Sequence, residues 1–176
     1  GLPMRLRKVI WILTILWMTA IFLLSARPGD LSRQDSAWLL ERANLITQEE
    51  AMDIENHEAM SLQMWIRKMA HVIIFGGLCM LFYASFYGYV GKAIKTGIWS
   101  WSATVLYGIT DEIHQLFVPG RGAQIQDVFR DGKGALIGCL IMMAVFLLIE
   151  RVPSINKIVD KIYNLNIEIN KQYDVG

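Results

Sequence analysis

The stretch VIWILTILWMTAIFLLS, residues Val9–Ser25, decides the fold class. Its 17 residues carry no charge, and a basic cluster precedes them. A helix needs about 20 apolar residues to cross the hydrocarbon core of a bilayer. Lipid offers no partner to unpaired backbone groups, so a helix is the expected spanning form. These residues therefore predict a transmembrane helix.

Three further apolar stretches follow, at 69–90, 97–118 and 127–149, the last with a polar start. Composition agrees with them, because 54% of the residues are hydrophobic and 19% are charged. Soluble domains carry about a quarter charged residues. The net charge of +1 gives no reason to expect a nucleic-acid partner. We therefore predict an all-α integral membrane bundle of about four transmembrane helices.

Two polar segments complete the predicted organisation. Residues 26–68 form a loop with short amphipathic helices expected over 37–43 and 49–65. Residues 151–176 form an amphipathic tail whose apolar residues recur at helical spacing. Both segments are expected to lie on the membrane surface. Met4 is taken as the natural start, so the transmembrane domain is predicted to span residues 4–150.

Basic residues predict the orientation of the bundle. The cluster Arg5, Arg7 and Lys8 precedes the first helix, which places the N-terminus in the cytoplasm. Lys92 and Lys95, between the second and third helices, agree with this, as do the basic residues of the tail. Basic residues in the 26–68 loop weaken the bias. We predict cytoplasmic termini and an extracytoplasmic 26–68 loop.

The first apolar stretch has an alternative interpretation. A basic start, an apolar core and the sequence LLSA are also typical of a secretory signal peptide. Its apolar core is slightly long for a signal, which favours a retained helix.

Polar residues of the membrane segments converge on one side. The start of the second helix, the end of the third and the start of the fourth fall on the same side of the membrane. These places hold His71, residues 111–121 and residues 127–133. A carboxylate in the hydrocarbon region costs roughly 2.5–3.5 kcal/mol, so these groups are expected to face protein or a wet cavity.

The helical wheel sharpens this prediction for the third helix. At about 100° per residue, one stripe holds Ser100, Thr104, Tyr107, Gly108, Asp111, His114 and Gln115. Glu112 lies about 100° from Asp111, so the two carboxylates need not point at one atom. In the fourth helix, Gly134 and Gly138 form a small-xxx-small pair that permits close helix packing.

These residues predict an outward-facing binding pocket. Its expected lining is His71, Asp111, Glu112, His114, Gln115, Arg121, Asp127 and Asp131. Asp111, Glu112 and His71 are the candidates for catalysis. The alternative is a structural network in which Arg67, Arg121 or Arg130 neutralises the acids. The oxygen and nitrogen donors could ligate a metal, but no spacing is diagnostic, so we assign no metal and leave any cofactor open.

Two motifs, DEIHQLFVPGR at 111–121 and DVFRDGKGALIG at 127–138, resemble the signature of the VanZ-like family. The segment IFLLSARPGDLSRQDS at 21–36 resembles the end of that family's first helix, and RKMAH at 67–71 the start of its second. The resemblance implies a small multi-pass protein of the bacterial plasma membrane. Some members are tied to low-level resistance to the glycopeptide teicoplanin.

The resemblance also implies which positions matter. The recurrent polar positions of the family map onto His71, Asp111, Glu112, Gln115, Arg121, Asp127 and Asp131. Family members often have an acid and a tyrosine where this chain has Ile74 and Phe75. Asp131 stands where many relatives have asparagine, which makes this site more acidic.

Two functional hypotheses follow. In the first, the protein is not an enzyme and binds or shields a lipid-anchored ligand, either a teicoplanin-type lipoglycopeptide or a lipid-linked cell-wall precursor. In the second, it is an intramembrane enzyme that modifies a lipid-linked phosphate or sugar. Asp111 or Glu112 would then act as acid or base, and Arg121 would hold the anionic head. The sequence contains no nucleophile motif, which favours binding. Membrane lipids are expected partners in both cases.

Overall fold

The computed structural model describes residues 4–53 and 55–151 and, singly, residues 157, 161 and 164. These residues contain six helices and no strand. The helices are α1 Met4–Ser25, α2 Gly29–Arg42, α3 Gln48–Met52, α4 His57–Val90, α5 Ala93–Gln115 and α6 Ile125–Arg151. The prediction of an all-α membrane bundle is confirmed. The predicted tail lies outside the described residues, apart from Arg151 and the three single positions.

Three of the described helices are long and apolar enough to cross a membrane. These spans are Met4–Ser25, His57–Val90 and Ile125–Ile149. α5 has 23 residues, which is sufficient length, but its buried polar residues lower its mean hydropathy. Its role follows instead from the directions of its neighbours.

α4 and α6 run parallel and their backbones touch. A methyl group added at Gly134 would lie 2.5 Å from the carbonyl oxygen of Val72, and one at Gly138 would overlap that of Gly76. Contacts therefore advance together along both helices, as the small-residue pair predicted. Two consecutive parallel crossings require the chain to return between them. α5 connects them in the opposite direction, so we count it as a membrane helix in addition to the three named above.

α1 is an integrated part of the bundle. The Trp17 indole Nε1 donates a 2.9 Å hydrogen bond to the carbonyl oxygen of Ile74 in α4. The Tyr107 hydroxyl of α5 donates a 2.6 Å bond to the carbonyl oxygen of Met18. α1 thus packs on both α4 and α5, and its retention in the mature protein stays a prediction.

α2 and α3, residues 29–52, form a small unit that we call the cover. Its interior is apolar, since Leu40 and Ala51 are almost completely buried. The side chain of Gln63, in the first part of α4, donates a hydrogen bond to the carbonyl oxygen of Ala51. Ser36 of α2 donates to the Gln63 side-chain oxygen at 3.4 Å. The cover is therefore attached to the N-terminal end of α4.

The predicted helix over 49–65 is wrong in its bounds. α3 ends at Met52, and a new helix begins at His57 because the Asn56 side-chain oxygen accepts a 3.1 Å hydrogen bond from the Ala59 amide. α4 then continues without a break into the membrane segment. The helix expected over 37–43 is the second half of α2, which begins at Gly29.

A glycine contact fixes the cover to the connection between α5 and α6, residues 116–124. The Gly29 amide donates a 3.1 Å hydrogen bond to the Pro119 carbonyl oxygen. A methyl group at Gly29 would overlap the carbonyl oxygen of Gly120, and Gly120 itself has a φ of +70°, which favours glycine. This contact brings the first turn of α2 beside Arg121.

Candidate functional site

Two cavities adjoin at the end of the bundle that carries the cover. The first, of about 170 Å³, is mainly apolar, and its hydrophobic lining includes Ile21, Leu24, Leu39, Ile66 and Ile74. The second, of about 290 Å³, is polar and is lined by residues that include Lys68, Gln115, Gln124, Asp127 and Arg130. Arg67, His71 and Arg121 line both cavities. These three side chains mark the junction of an apolar and a polar compartment.

His71 and Asp131 form a buried pair between α4 and α6. The Nδ1 atom of His71 lies 2.9 Å from Oδ1 of Asp131, whose side chain is 1% exposed. The other carboxylate oxygen of Asp131 is buried and has no hydrogen-bond partner among the described residues. The pair joins the two helices beside the site. His71 lines both cavities, whereas Asp131, which was predicted to line the pocket, lines neither.

Asp111 faces the first cavity from α5. It is 4% exposed, and its Oδ2 atom accepts a hydrogen bond of 3.3 Å from the Gln115 side-chain amide. The same amide lies 3.4 Å from the Ser25 hydroxyl of α1. The Oδ1 atom of Asp111 is buried without a partner among the described residues. The Ser25 hydroxyl also lies beside this carboxylate, and water or a ligand can supply a donor that the protein does not.

Glu112 and His114 lie elsewhere, although both were predicted to line the pocket. The Oε2 atom of Glu112 accepts a 2.9 Å hydrogen bond from the Gln124 amide, so Glu112 holds the connection between α5 and α6. The His114 ring stacks on Phe22, with 4.2 Å between the centroids. Neither side chain lines the two cavities described above. The adjacent carboxylates Asp111 and Glu112 therefore serve different partners.

The cations of the site differ in how they are paired. Arg130 forms an ion pair with Asp127 one turn away. Arg121 instead donates a 3.1 Å hydrogen bond to the Ser32 hydroxyl, and its Nε atom is buried without a partner among the described residues. Neither Arg67 nor Arg121 forms an ion pair with a carboxylate of the described part of the chain. The alternative in which arginines neutralise the acids therefore holds for Arg130 but not for Arg67 or Arg121.

The predicted pocket lining left out several residues that the fold brings to the site. Ser25 and Ser32 reach it from the end of α1 and the start of α2, and Arg67 from α4. Arg67 carried a usable signal, because it lies four residues before His71 and so on the same helix face. The serines carried none, since Ser25 depends on how α1 packs against α5 and Ser32 on how the cover folds back.

Metal ligation finds no support in the arrangement of donors. Among the residues that the structure describes, no three histidine, cysteine, aspartate or glutamate side chains are grouped so that they could hold a metal ion. His71 and Asp131 are joined, but Asp111 and Glu112 face different surroundings.

The fold and the site together define a class: an integral membrane protein whose four-helix bundle holds a polar pocket at one end. The chain belongs to the VanZ/LLP1 family, whose family model matches residues 10–148. The match includes the cover, α4 and α5 completely, and most of α1 and α6. No curated protein and no solved structure matches the chain.

Proposed function

We propose that the protein lies in the bacterial plasma membrane and binds or shields a lipid-anchored ligand in its outward-facing pocket. This binding would contribute to resistance against teicoplanin-type glycopeptides. One observation carries the proposal: an apolar cavity and a polar cavity meet at Arg67, His71 and Arg121. A lipid-anchored molecule has the same two parts, a hydrocarbon chain and a polar head.

The surroundings of the pocket support a ligand that arrives from the membrane. The first cavity lies where α1, α4 and the cover meet, and both helices expose apolar side chains along their lengths. Trp38 and Trp65, near this end, are half exposed. Exposed tryptophans are typical of the interface between hydrocarbon and water. The pocket is therefore within reach of a headgroup in the outer leaflet.

Orientation can be tested by labelling engineered cysteines with a membrane-impermeant maleimide. Gln34→Cys, on the exposed side of α2, is expected to react in intact cells. Lys95→Cys, at the start of α5, is expected to react only after the membrane is permeabilised. The native Cys79 and Cys139 are both buried, so the unmodified protein is the background control. Reaction at Lys95→Cys in intact cells would place the pocket in the cytoplasm and contradict the proposal.

The carboxylate that faces the first cavity provides the functional test. Asp111→Asn keeps the size and one hydrogen bond of the side chain but removes its charge. We expect teicoplanin susceptibility to approach that of a strain without the protein. Asp30→Asn makes the same change at an exposed position of α2 and is expected to leave susceptibility unchanged. Amounts of inserted protein are compared by immunoblot.

A companion variant, Glu112→Gln, distinguishes a carboxylate that lines the cavity from one that holds the α5–α6 connection. The amide oxygen of glutamine can still accept the hydrogen bond from Gln124, so we expect a smaller effect than for Asp111→Asn. Unchanged susceptibility in both variants, at normal protein levels, would refute a functional polar site of either kind.

The buried His71–Asp131 pair favours a second candidate, an intramembrane enzyme acting on a lipid-linked phosphate or sugar. Such a pair can hold or transfer a proton beside a bound head. Mass spectrometry of lipid extracts from cells with and without the protein distinguishes the two functions. A covalently altered lipid indicates the enzyme, whereas an unaltered lipid pool indicates binding.

A further inference from the structure

Two guanidinium groups at the junction of the cavities have no carboxylate partner. Arg67 and Arg121 both line both cavities, and both are half-buried. Two nearby carboxylates are engaged by other arginines: Asp127 pairs with Arg130, and Asp35 accepts hydrogen bonds of 2.6 and 2.8 Å from Arg27. Asp111 lines the first cavity with both arginines but forms an ion pair with neither. Two cations that share a partly buried site repel each other and lose hydration. An anion from outside the described protein would offset both costs.

We propose that Arg67 and Arg121 bind the phosphate of a lipid whose hydrocarbon chain enters the first cavity from the outer leaflet. This inference rests on the proposed function and names the chemical class of its ligand. It favours a phosphate-bearing lipid over an acylated glycopeptide, because the recognised group is the phosphate itself.

Phosphate fits the donors present. A guanidinium presents parallel N–H groups that match two phosphate oxygens, and arginine pairs bind such groups in a fixed geometry. The Nε atom of Arg121 is buried with its donor unused, while one Nη of the same group is held by Ser32. Ser32 thus fixes the plane of the guanidinium before a ligand arrives. Lys68 adds a third cation to the polar cavity.

The apolar cavity fits the beginning of a hydrocarbon chain. Its walls include Ile21 and Leu24 from α1 and Ile66 and Ile74 from α4. At about 170 Å³ it is smaller than the roughly 300–1,000 Å³ of pockets that enclose a whole small molecule. It therefore accommodates the part of a chain nearest the head, and the rest of the chain lies in the bilayer beside α1 and α4.

Asp111 bears on the choice of lipid headgroup. Its unpartnered Oδ1 atom is almost completely buried and belongs to the lining of the same cavity. A carboxylate near a phosphate is favourable only when a donor lies between them. A head with a hydroxyl group next to its phosphate offers a donor on the Asp111 side of the cavity, and phosphatidylglycerol, which has such a head, is therefore the test ligand.

Binding is tested with the full-length protein in maltoside micelles, which contain no phosphate. Native mass spectrometry follows titration with phosphatidylglycerol, with diacylglycerol as the same lipid without phosphate, and with free glycerol phosphate as the head without chains. We expect phosphatidylglycerol to bind and the other two to bind far more weakly. Tight binding of glycerol phosphate would reassign the site to a free phosphate compound, and equal binding of diacylglycerol would overturn the phosphate assignment.

Variants locate the site. Arg67→Gln and Arg121→Gln are each expected to weaken phosphatidylglycerol binding roughly ten- to a hundredfold. Arg121→Lys keeps the positive charge but removes the paired N–H groups of the guanidinium, and we expect an intermediate loss of binding. Arg33→Gln is the matched control: Arg33 lies on α2 nearby but lines neither cavity, so its loss leaves binding unchanged. Equal weakening in all variants would indicate general electrostatic attraction and refute the assigned contacts.

Failure of this inference is distinguishable from failure of the proposed function. If Asp111→Asn abolishes resistance while the arginine variants bind phosphatidylglycerol normally, only the phosphate assignment falls. If the arginine variants lose binding while Asp111→Asn leaves resistance intact, the lipid site stands and the resistance proposal falls. Where Arg121→Gln does not fold, Arg121→Lys and Arg67→Gln decide the result.

Discussion

Gly138→Ala is expected to lower the melting temperature of the protein strongly, although alanine is the better helix former. In the middle of a helix, alanine is favoured over glycine by roughly 0.5–1 kcal/mol. At Gly138 the added methyl group would overlap the carbonyl oxygen of Gly76 in α4. Overpacking costs about 1–3 kcal/mol even where side chains can adjust, and here the obstacle is backbone. The steric cost therefore exceeds the gain in propensity.

The measurement uses the two native thiols. Cys79 and Cys139 are both buried, so a thiol-reactive dye reports unfolding in detergent as temperature rises. Gly132→Ala is the matched control on the same helix, because its methyl group would meet only Val105 at an ordinary 3.7 Å. We expect the control to melt at or slightly above the unaltered protein. Equal melting of the Gly138 and Gly132 variants would refute the close approach of α4 and α6.

His71→Leu is expected to be the most destabilising change in the site. It leaves the Asp131 carboxylate, which is 1% exposed, without the ring nitrogen that lies 2.9 Å from its Oδ1 atom. Removing one member of a buried ion pair typically costs about 3–5 kcal/mol, because the remaining charge is neither solvated nor paired. The expected result is a protein that unfolds at much lower temperature or fails to accumulate.

A double-mutant cycle separates this cause from lost packing. Asp131→Leu in the His71→Leu background removes the stranded charge, and replacement of a buried pair by apolar residues is often nearly neutral. We therefore expect the double variant to recover most of the lost stability. Asp131→Asn alone is expected to be mild, since the amide oxygen can still bond the ring. Strictly additive losses would show that the pair is not coupled.

Hydropathy predicted the apolar part of each long helix better than the residue at which the helix begins. The apolar stretch predicted the end of α4 at Val90, and the helix ends there with Gly91 in a left-handed conformation at φ +65°. The start of α4 lies at His57 rather than at residue 69. Apolar runs mark the part of a helix in lipid, whereas a helix end depends on capping groups such as Asn56.

The sequence predicted where the polar side chains of the site lie better than it predicted their hydrogen-bond partners. The wheel placed Asp111 and Gln115 on one buried stripe, and both are buried in the structure. The same pattern could not reveal that Glu112 bonds the Gln124 amide or that the cover supplies Ser32. Such contacts join residues far apart in the chain, and one-dimensional periodicity carries no information about them.

The length of α4 has a mechanical consequence. Its 34 residues extend about 51 Å at about 1.5 Å per residue, well beyond the roughly 30 Å of a hydrocarbon core. One unbroken rod therefore carries Gln63, which holds the cover, Arg67 and His71 at the pocket, and Gly76 in the bundle. Adding or removing one residue between Gln63 and Gly76 would turn the cover by about 100° away from the pocket. We therefore expect insertions and deletions to be tolerated in the irregular residues 43–47 but not between Gln63 and Gly76 of α4.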